Sequence, residues 1–370
     1  MKIAFLLNSL SIGGSERKII NIANRISEKG WSVSIIYISG SSELQGHIDE
    51  SIDVIKLRGQ GDSIFIALRK SYDYIIRKRI ETIFTVNMYP LVFAFIPKLS
   101  LGKKLRMVSL TNTTYFECFK KKFQMLIYRL ILSLSDHIVF GAQSQMTIWN
   151  RKYLLGRIPS SVIYNGVDTD RFSNTNVSSD EVTFTRDNLA IEGFDFTFCT
   201  VAQLRIEKRH IDIIEACEYL KKNGINVACL FVGGSSKEYK ETLKVKAKIN
   251  NVAENIKFIG QVNDCRPYLL ASDCFLLASE SETFSNATLE AMSLSLPVLI
   301  TNVGGAPEMV DEDINGFLFE PLNPKSLAEK MELVISRNND QLGNNAREKV
   351  TTDFSYKSMV KSYMEISHHD

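Results

Sequence analysis

The 370 residues are 45% hydrophobic and 23% charged, the composition of a globular chain long enough for two ordinary domains. No apolar run reaches the ~18–20 residues of a membrane-spanning helix. The opening MKIAFLLNSL runs into SIGGSERK without a small-residue cleavage site, and so reads as a buried first strand and not a signal peptide. The net charge of +2 hides a division. Residues 1–170 hold 23 Lys and Arg against 13 Asp and Glu, a balance of +10, and the remainder holds 21 against 29, a balance of −8. A basic half suits anions: nucleotide phosphates, lipid diphosphates or an acidic membrane surface. Cys118, Cys199, Cys217, Cys229, Cys265 and Cys274 show no Cys-x-x-Cys spacing. They read as reduced thiols, mostly core, in a cytoplasmic protein. The Asn-x-Ser/Thr sequons at Asn112, Asn176 and Asn286 are then incidental.

Strand-like runs alternate with helical periodicity along the chain. In order they are KIAFLLN, WSVSIIYI, IDVIKL, ETIFTV, RMVSLT, HIVFGA and SSVIYN, then FDFTFCTVA, INVACLFVG, IKFIG, CFLLA and PVLIT. Continuous Val, Ile, Leu and Phe predict strands covered on both faces, and strand–helix repetition predicts parallel sheets. The stretch DRFSNTNVSSDEVTFTRDNLAIEG, rich in Ser, Asn and Asp, reads as a linker. The expectation is an α/β chain of two Rossmann-like domains whose parallel sheets face one another across a cleft. The first spans 1–172, a linker 173–194 and the second domain 195–353, with a helix at about 354–368 packing back on the first domain. In such sheets ligands gather at the carboxyl ends of strands.

Four motifs stand at those ends. In LNSLSIGGSERK, Gly13 and Gly14 precede a helix beginning near Ser15, either a plain tight turn or an anion site at a helix start. It is not the G-x-G-x-x-G dinucleotide fingerprint. In SVIYNGVDTDRF, Asn165-Gly166 reads as a turn closing the first domain. In TVAQLRIEKRHIDIIEA, Arg205, Lys208 and Arg209 crowd a strand end, either a solvated basic turn or a phosphate site. In CFLLASESETFSNATLEAM, Ser285 or Asn286 can cap a helix and leave the amides of Phe284 to Ala287 for a diphosphate. Glu290, on the second turn, suits vicinal ribose hydroxyls, and Glu282, ahead of the turn, suits sugar hydroxyls. LITNVGGAPEMV follows, another strand ending in Gly304-Gly305, with Glu308 beyond.

These motifs resemble the retaining glycosyltransferases of family 4 (glycosyl transferase group 1), which have the GT-B fold. The resemblance runs over nearly the whole chain, through GGSERK, NGVDTDRF, LRIEK, SETFSNATLEAM, PVLITNVGGAPEMV and NGFLFEPLNPKSLAEKM. It implies that Lys208 and Arg205 stabilise the leaving diphosphate, that Glu282 meets the donor sugar and that Glu290 holds the nucleotide ribose. It implies too that Phe284, Ser285 and Asn286 wrap the diphosphate with backbone amides, and that Gly13 and Gly14 close on the phosphate from the other domain. The chain departs from the family pattern at Gln203, where Arg is usual, and at Thr283 and Ser295, where Gly is usual. A histidine usual after the fifth strand is replaced by Thr111 and Asn112.

The resemblance implies transfer of a hexose or N-acetylhexosamine, with retention at the anomeric carbon, from a nucleotide sugar with UDP as the commonest nucleotide. The acceptor would be a glycan or polyprenyl-linked glycan of bacterial surface polysaccharide, O-antigen or capsule. The alternative is a non-catalytic sugar-nucleotide-binding partner of another transferase. No metal is expected: the Asp168-Thr169-Asp170 pattern lies beside the linker, away from the strand ends. Lys208, Arg205 and the helix start would then meet the developing charge. No nucleic-acid partner is expected. FECFKKKFQMLIYRLILSLSD joins Lys120–Lys122 to Phe123, Leu126, Ile127 and Leu130, and PKLSLGKKLRM adds cations. Residues 97–132 therefore read either as core helices with basic starts or as a peripheral contact with anionic lipid on the inner face of the cytoplasmic membrane.

Overall fold

The first strand, β1 (Lys2–Leu7), sends Ile3, Phe5 and Leu7 into one core and Ala4 and Leu6 into another. All five side chains are at most 1% exposed. A strand buried on both faces belongs inside a covered parallel sheet. The computed structural model describes residues 1–111 and 119–368, and within 119–132 it leaves the side chains of 119–124 and 126 undescribed. Asn112, Cys118 and the side chains of Lys120–Lys122, Phe123 and Leu126 therefore lie outside the described residues.

The chain forms two units: Met1–Asn165 with the chain from Tyr356 onward, and Gly166–Ser355. In the first unit β1 is followed by α1 (Gly14–Ser27), β2 (Ser32–Tyr37), β3 (Asp53–Lys56), α2 (Ile64–Lys78), β4 (Thr82–Val86) and α3 (Met88–Leu101). Then come β5 (Arg106–Thr111), α4 (Phe119–Leu132), β6 (His137–Phe140), α5 (Gln143–Tyr153) and β7 (Ser160–Val162). All seven strands pair in parallel, in the order β3-β2-β1-β4-β5-β6-β7. The order reverses between β1 and β4, so the carboxyl ends of those strands form a switch point. The last α-helix of the chain, Tyr356–Glu365, belongs to this unit. Its Tyr363 packs edge-on against Phe84, with ring centroids 5.7 Å apart. Two hydrogen bonds fix the chain just beyond it: Thr82 Oγ1 to the Ser367 carbonyl at 2.9 Å and Arg106 Nε to the Ile366 carbonyl at 2.8 Å.

The second unit opens with α6 (Ser179–Leu189) and continues with β8 (Phe196–Val201), α7 (His210–Lys222), β9 (Val227–Val232), α8 (Lys237–Ile249), β10 (Ile256–Gly260) and α9 (Arg266–Leu270). After these follow β11 (Cys274–Leu277), α10 (Asn286–Ser293), β12 (Val298–Thr301), α11 (Ala306–Met309), β13 (Gly316–Phe319), α12 (Pro324–Ile335) and α13 (Asn339–Asp353). The Tyr356–Glu365 helix completes the numbering as α14. The sheet order is β10-β9-β8-β11-β12-β13, again parallel and reversing beside the unit's first strand.

Three sequence expectations need revision. The stretch 173–194, expected as a linker, belongs to the second unit and contains α6. Ser178 accepts the Glu181 amide at 3.2 Å, a Ser-x-x-Glu helix start whose polarity resembles a loop. The first unit ends at Asn165 and not at 172, because the Val167 amide donates to the Phe354 carbonyl at 2.9 Å and Phe172 is buried in the second unit. The edge strand β13 was not anticipated. It opens on Gly316, where a Cβ would stand 2.1 Å from the Val298 carbonyl oxygen. Only a glycine lets the two backbones approach there, and glycine is a weak strand signal.

Candidate active site

In the second unit β8 and β11 are neighbours at the point where strand order reverses, so the loops leaving their carboxyl ends lie side by side. The β8 loop makes one 3₁₀ turn, Ile206–Lys208, and the Glu280 amide of the β11 loop donates to the Glu207 carbonyl at 2.9 Å. This brings together the two groups that the sequence places 74 residues apart: Lys208 Nζ donates to Glu282 Oε1. Ser279 Oγ donates to the same carboxylate oxygen at 3.1 Å. Lys208 and Glu282 keep 24% and 22% side-chain exposure, enough for a ligand to reach them. Glu282 also lines a small pocket with Ser279, Phe284, Ser285, Thr301 and Met309.

The next segment is a helix start. Ser285 is the cap: its side chain accepts the Thr288 amide at 3.2 Å, and Asn286 is the first helical residue. Helix geometry leaves the Asn286 and Ala287 amides without an acceptor inside α10. Phe284 is buried, its ring edge-on to Phe354 at 5.2 Å, so it can offer a ligand only backbone. Glu290 stands one turn into α10, half-buried. The Gly304-Gly305 pair supports this loop from β12. The Gly305 amide donates to the Thr283 carbonyl at 2.9 Å, and a Cβ on Gly304 (φ 56°) would stand 1.7 Å from the Glu282 carbonyl oxygen. The glycine is required by close packing of two loops.

Arg205 is 61% exposed and pairs with Glu207 at 3.8 Å, while Arg209 is committed to the buried Asp212 through Nη2–Oδ1 at 2.7 Å. Gln203 is exposed. The departures at 283 and 295 have opposite consequences. Thr283 is not in the left-handed region, so its side chain costs nothing in backbone strain, whereas Ser295 has φ 59° at the left-handed end of α10. In the first unit α1 starts at Gly14, with Gly13 extended before it (φ −155°, ψ 156°). Thr111 is 2% exposed and donates through Oγ1 to the Val139 carbonyl at 3.3 Å, which commits it to the sheet.

Within each unit, several contacts carry no local signal in the sequence. Lys18 in α1 is buried and donates to Asn165 Oδ1 at 3.0 Å, and burial lowers its pKa to about 8. His210, the first residue of α7, is fully buried edge-on to Phe231 at 4.8 Å, and neither ring nitrogen has a partner. Burial and, second, the Lys208 charge push its pKa down to about 3. The Phe172 carbonyl, at the end of NGVDTDRF, accepts from Ser293 Oγ at 2.7 Å and Arg347 Nη1 at 3.2 Å, which ties that motif to the end of α10. These partners are 121 and 175 residues away in sequence.

Residues 12–171 match the family model described as Glycosyltransferase Family 4, and residues 181–349 match Glycosyl transferases group 1, so the two matches take in most of the chain. An uncharacterized glycosyltransferase of Haemophilus influenzae is 24% identical over 347 residues, 91% of this chain and 90% of that one. A UDP-Gal:alpha-D-GlcNAc-diphosphoundecaprenol alpha-1,3-galactosyltransferase of Escherichia coli is 27% identical over 210 residues, 55% of this chain and 54% of its own length. Among solved structures, Anabaena HepE in complex with UDP matches with a TM-score of 0.84 over 99% of each chain at 20% identity, which establishes the fold. Two parallel α/β units of GT-B type and both family matches lead to one conclusion: the chain belongs to the family 4, group 1 glycosyltransferases.

Proposed function

We propose that the chain transfers a hexose or N-acetylhexosamine, with retention, from a UDP-sugar to a lipid-linked glycan of bacterial surface polysaccharide. The observation that carries this reading is the Lys208–Glu282 pair at the β8/β11 switch point, beside the start of α10 and one turn ahead of Glu290. A diphosphate arriving there takes Lys208 from Glu282 and uses the first amides of α10. Positive charge and oriented N–H groups then meet the charge that grows on the leaving group. The freed Glu282 accepts sugar hydroxyls, and Glu290 accepts the ribose pair. Arg205, on the same turn as Lys208, moves from Glu207 to the diphosphate. In the first unit, the role of Gly13 and Gly14 toward the phosphate rests on the family resemblance, with Gly13 extended ahead of α1. UDP is bound by the similar HepE structure, and a diphosphoundecaprenol-linked acceptor is named for the E. coli relative. The leaving phosphate oxygen takes the acceptor's proton, and Lys208, Arg205 and the α10 amides supply the positive charge the diphosphate needs, so transfer is expected to persist in excess EDTA.

The first unit is the part that meets anionic lipid. Ile96 and Leu99 on α3, and Ile127 and Leu130 on α4, are exposed at i, i+3 spacing. Lys103, Lys104 and Arg129 are exposed among them. A second reading, donor binding without turnover, is favoured by exposed Gln203 in the place of an arginine.

Lys208→Ala and Glu290→Ala test the site when transfer is assayed against a panel of nucleotide sugars. Each is expected to lower the rate at least ~10²-fold, with melting unchanged. Near-wild-type transfer by either variant rejects the site. Donor binding by the unaltered chain without any turnover favours the second reading.

A further inference from the structure

Glu290 accepts a hydrogen bond from a side chain of a neighbouring loop. The loop from β10 to α9 carries Cys265, whose thiol donates to Glu290 Oε2 with Sγ 3.8 Å away. That loop is held from several sides. Asp264 accepts the Arg266 amide at 3.0 Å and takes its guanidinium Nε at 3.0 and 2.9 Å. Nη1 of the same guanidinium donates to the Arg171 carbonyl at 3.0 Å. The adjacent Phe172 carbonyl holds Ser293, at the end of the helix that carries Glu290. Thiol and carboxylate are therefore both referenced to the dipeptide Arg171-Phe172.

Burial, then the charges of Glu290 and Asp264, push the Cys265 thiol up to about 12. It keeps its proton throughout the working range and remains a donor. A thiol is a weak, uncharged donor. It fixes the carboxylate's direction without cancelling the charge that a diol's two hydroxyls need. Lysine or arginine there would hold Glu290 more tightly and compete with the ribose.

We propose that Cys265 is a positioning residue of the nucleotide site, acting through Glu290 on affinity for the ribose. This rests on the reading that Glu290 binds ribose. The test is isothermal titration with UDP on the full chain, using Cys265→Ala, Cys265→Ser, Glu290→Ala and the Cys265→Ala/Glu290→Ala pair, with melting curves to confirm folding. Cys265→Ala is expected to weaken UDP about 3–10-fold, the scale of one hydrogen bond, and to raise donor KM while leaving kcat within about twofold. Cys265→Ser, which keeps a donor, should restore most of the affinity. In the Glu290→Ala background, loss of the thiol should cost nothing more.

Wild-type affinity in Cys265→Ala, or an equal loss with and without Glu290, overturns the proposal. If Cys265→Ala does not fold, Cys265→Val keeps the volume without the donor and is read the same way. Unchanged affinity in Glu290→Ala overturns the ribose reading and this proposal together, whereas a weakened Glu290→Ala beside an unaffected Cys265→Ala overturns the positioning role alone. A chain that does not bind UDP is titrated with GDP and ADP, and binding of none of the three overturns both.

Discussion

His210 is a titratable group with no hydrogen-bond partner, and its effect on stability has a definite sign. Its folded pKa, about 3, lies below the unfolded value of 6.5. Below pH 6.5 the unfolded chain binds a proton that the folded chain refuses. The stability is complete above pH 6.5 and falls by about 1.4 kcal/mol per pH unit on the way toward 3. His210→Phe, which keeps an aromatic ring against Phe231, is expected to match or exceed the wild type at pH 7.5. Urea unfolding at pH 5 should show it gaining about 2 kcal/mol relative to the wild type. An identical pH dependence in the two proteins would contradict the assignment. Ser295 offers a second residue-scale test. The Ser295 amide donates to the Met292 carbonyl at 3.0 Å and the Leu296 amide to Ala291 at 3.1 Å, a helix end that favours glycine in its left-handed position. Ser295→Gly is expected to stabilise by about 1 kcal/mol, read as a higher urea midpoint. At this scale Lys208 and Glu282 are legible as candidates because each stands in the loop past an apolar strand, and Glu290 because it follows a capped helix start. The pairing of Lys208 with Glu282 was not, since nothing local in either segment encodes a partner 74 residues away.

The most legible elements have apolar residues on both faces, as in β1, β8 and β11, whereas β3 and β7 are read from short apolar runs that are only half-buried. Weakly apolar elements escaped. Helix α6 buries only Thr185 fully, and its 11 residues otherwise have a loop's composition. Strand β13 is four residues long and starts with glycine. Helix α14 illustrates how much one terminal element holds. Tyr363 is 1% exposed in the core beneath β1 and β4, beside Met359 and Val360. Tyr363→Ala leaves a large void among rigid strands and is expected to cost about 3–5 kcal/mol. Calorimetry should show the melting of the first unit falling by on the order of 10 °C. An unshifted melt would mean that α14 is dispensable to the core.

For the whole molecule the uneven charge is the informative quantity. Residues 97–132 contain eight Lys or Arg and one Glu in sequence, and no helix among the described residues is long and apolar enough to cross a membrane. The proposed surface attachment combines cations with the exposed pairs on α3 and α4 and so weakens as salt rises. The chain is expected to float with vesicles containing phosphatidylglycerol at low ionic strength and to stay below at 0.5 M salt. Leu99→Glu with Leu130→Glu should reduce flotation at low salt. Flotation equal in both salts, or unaffected by these substitutions, would contradict the surface named here.

The contact between Lys208 and Glu282 also bears on which ligands the proposed donor site would reject. Each partner already satisfies the other, so a visitor must offer something to both. Inorganic phosphate, abundant in a growing cell, can engage the ammonium but brings few hydroxyl donors for the abandoned carboxylate, and a free sugar has the opposite defect. If the proposed donor site is right, a molecule carrying phosphate and polyol together compensates both halves at once, and the pair then works as a two-key lock against the commonest competitors.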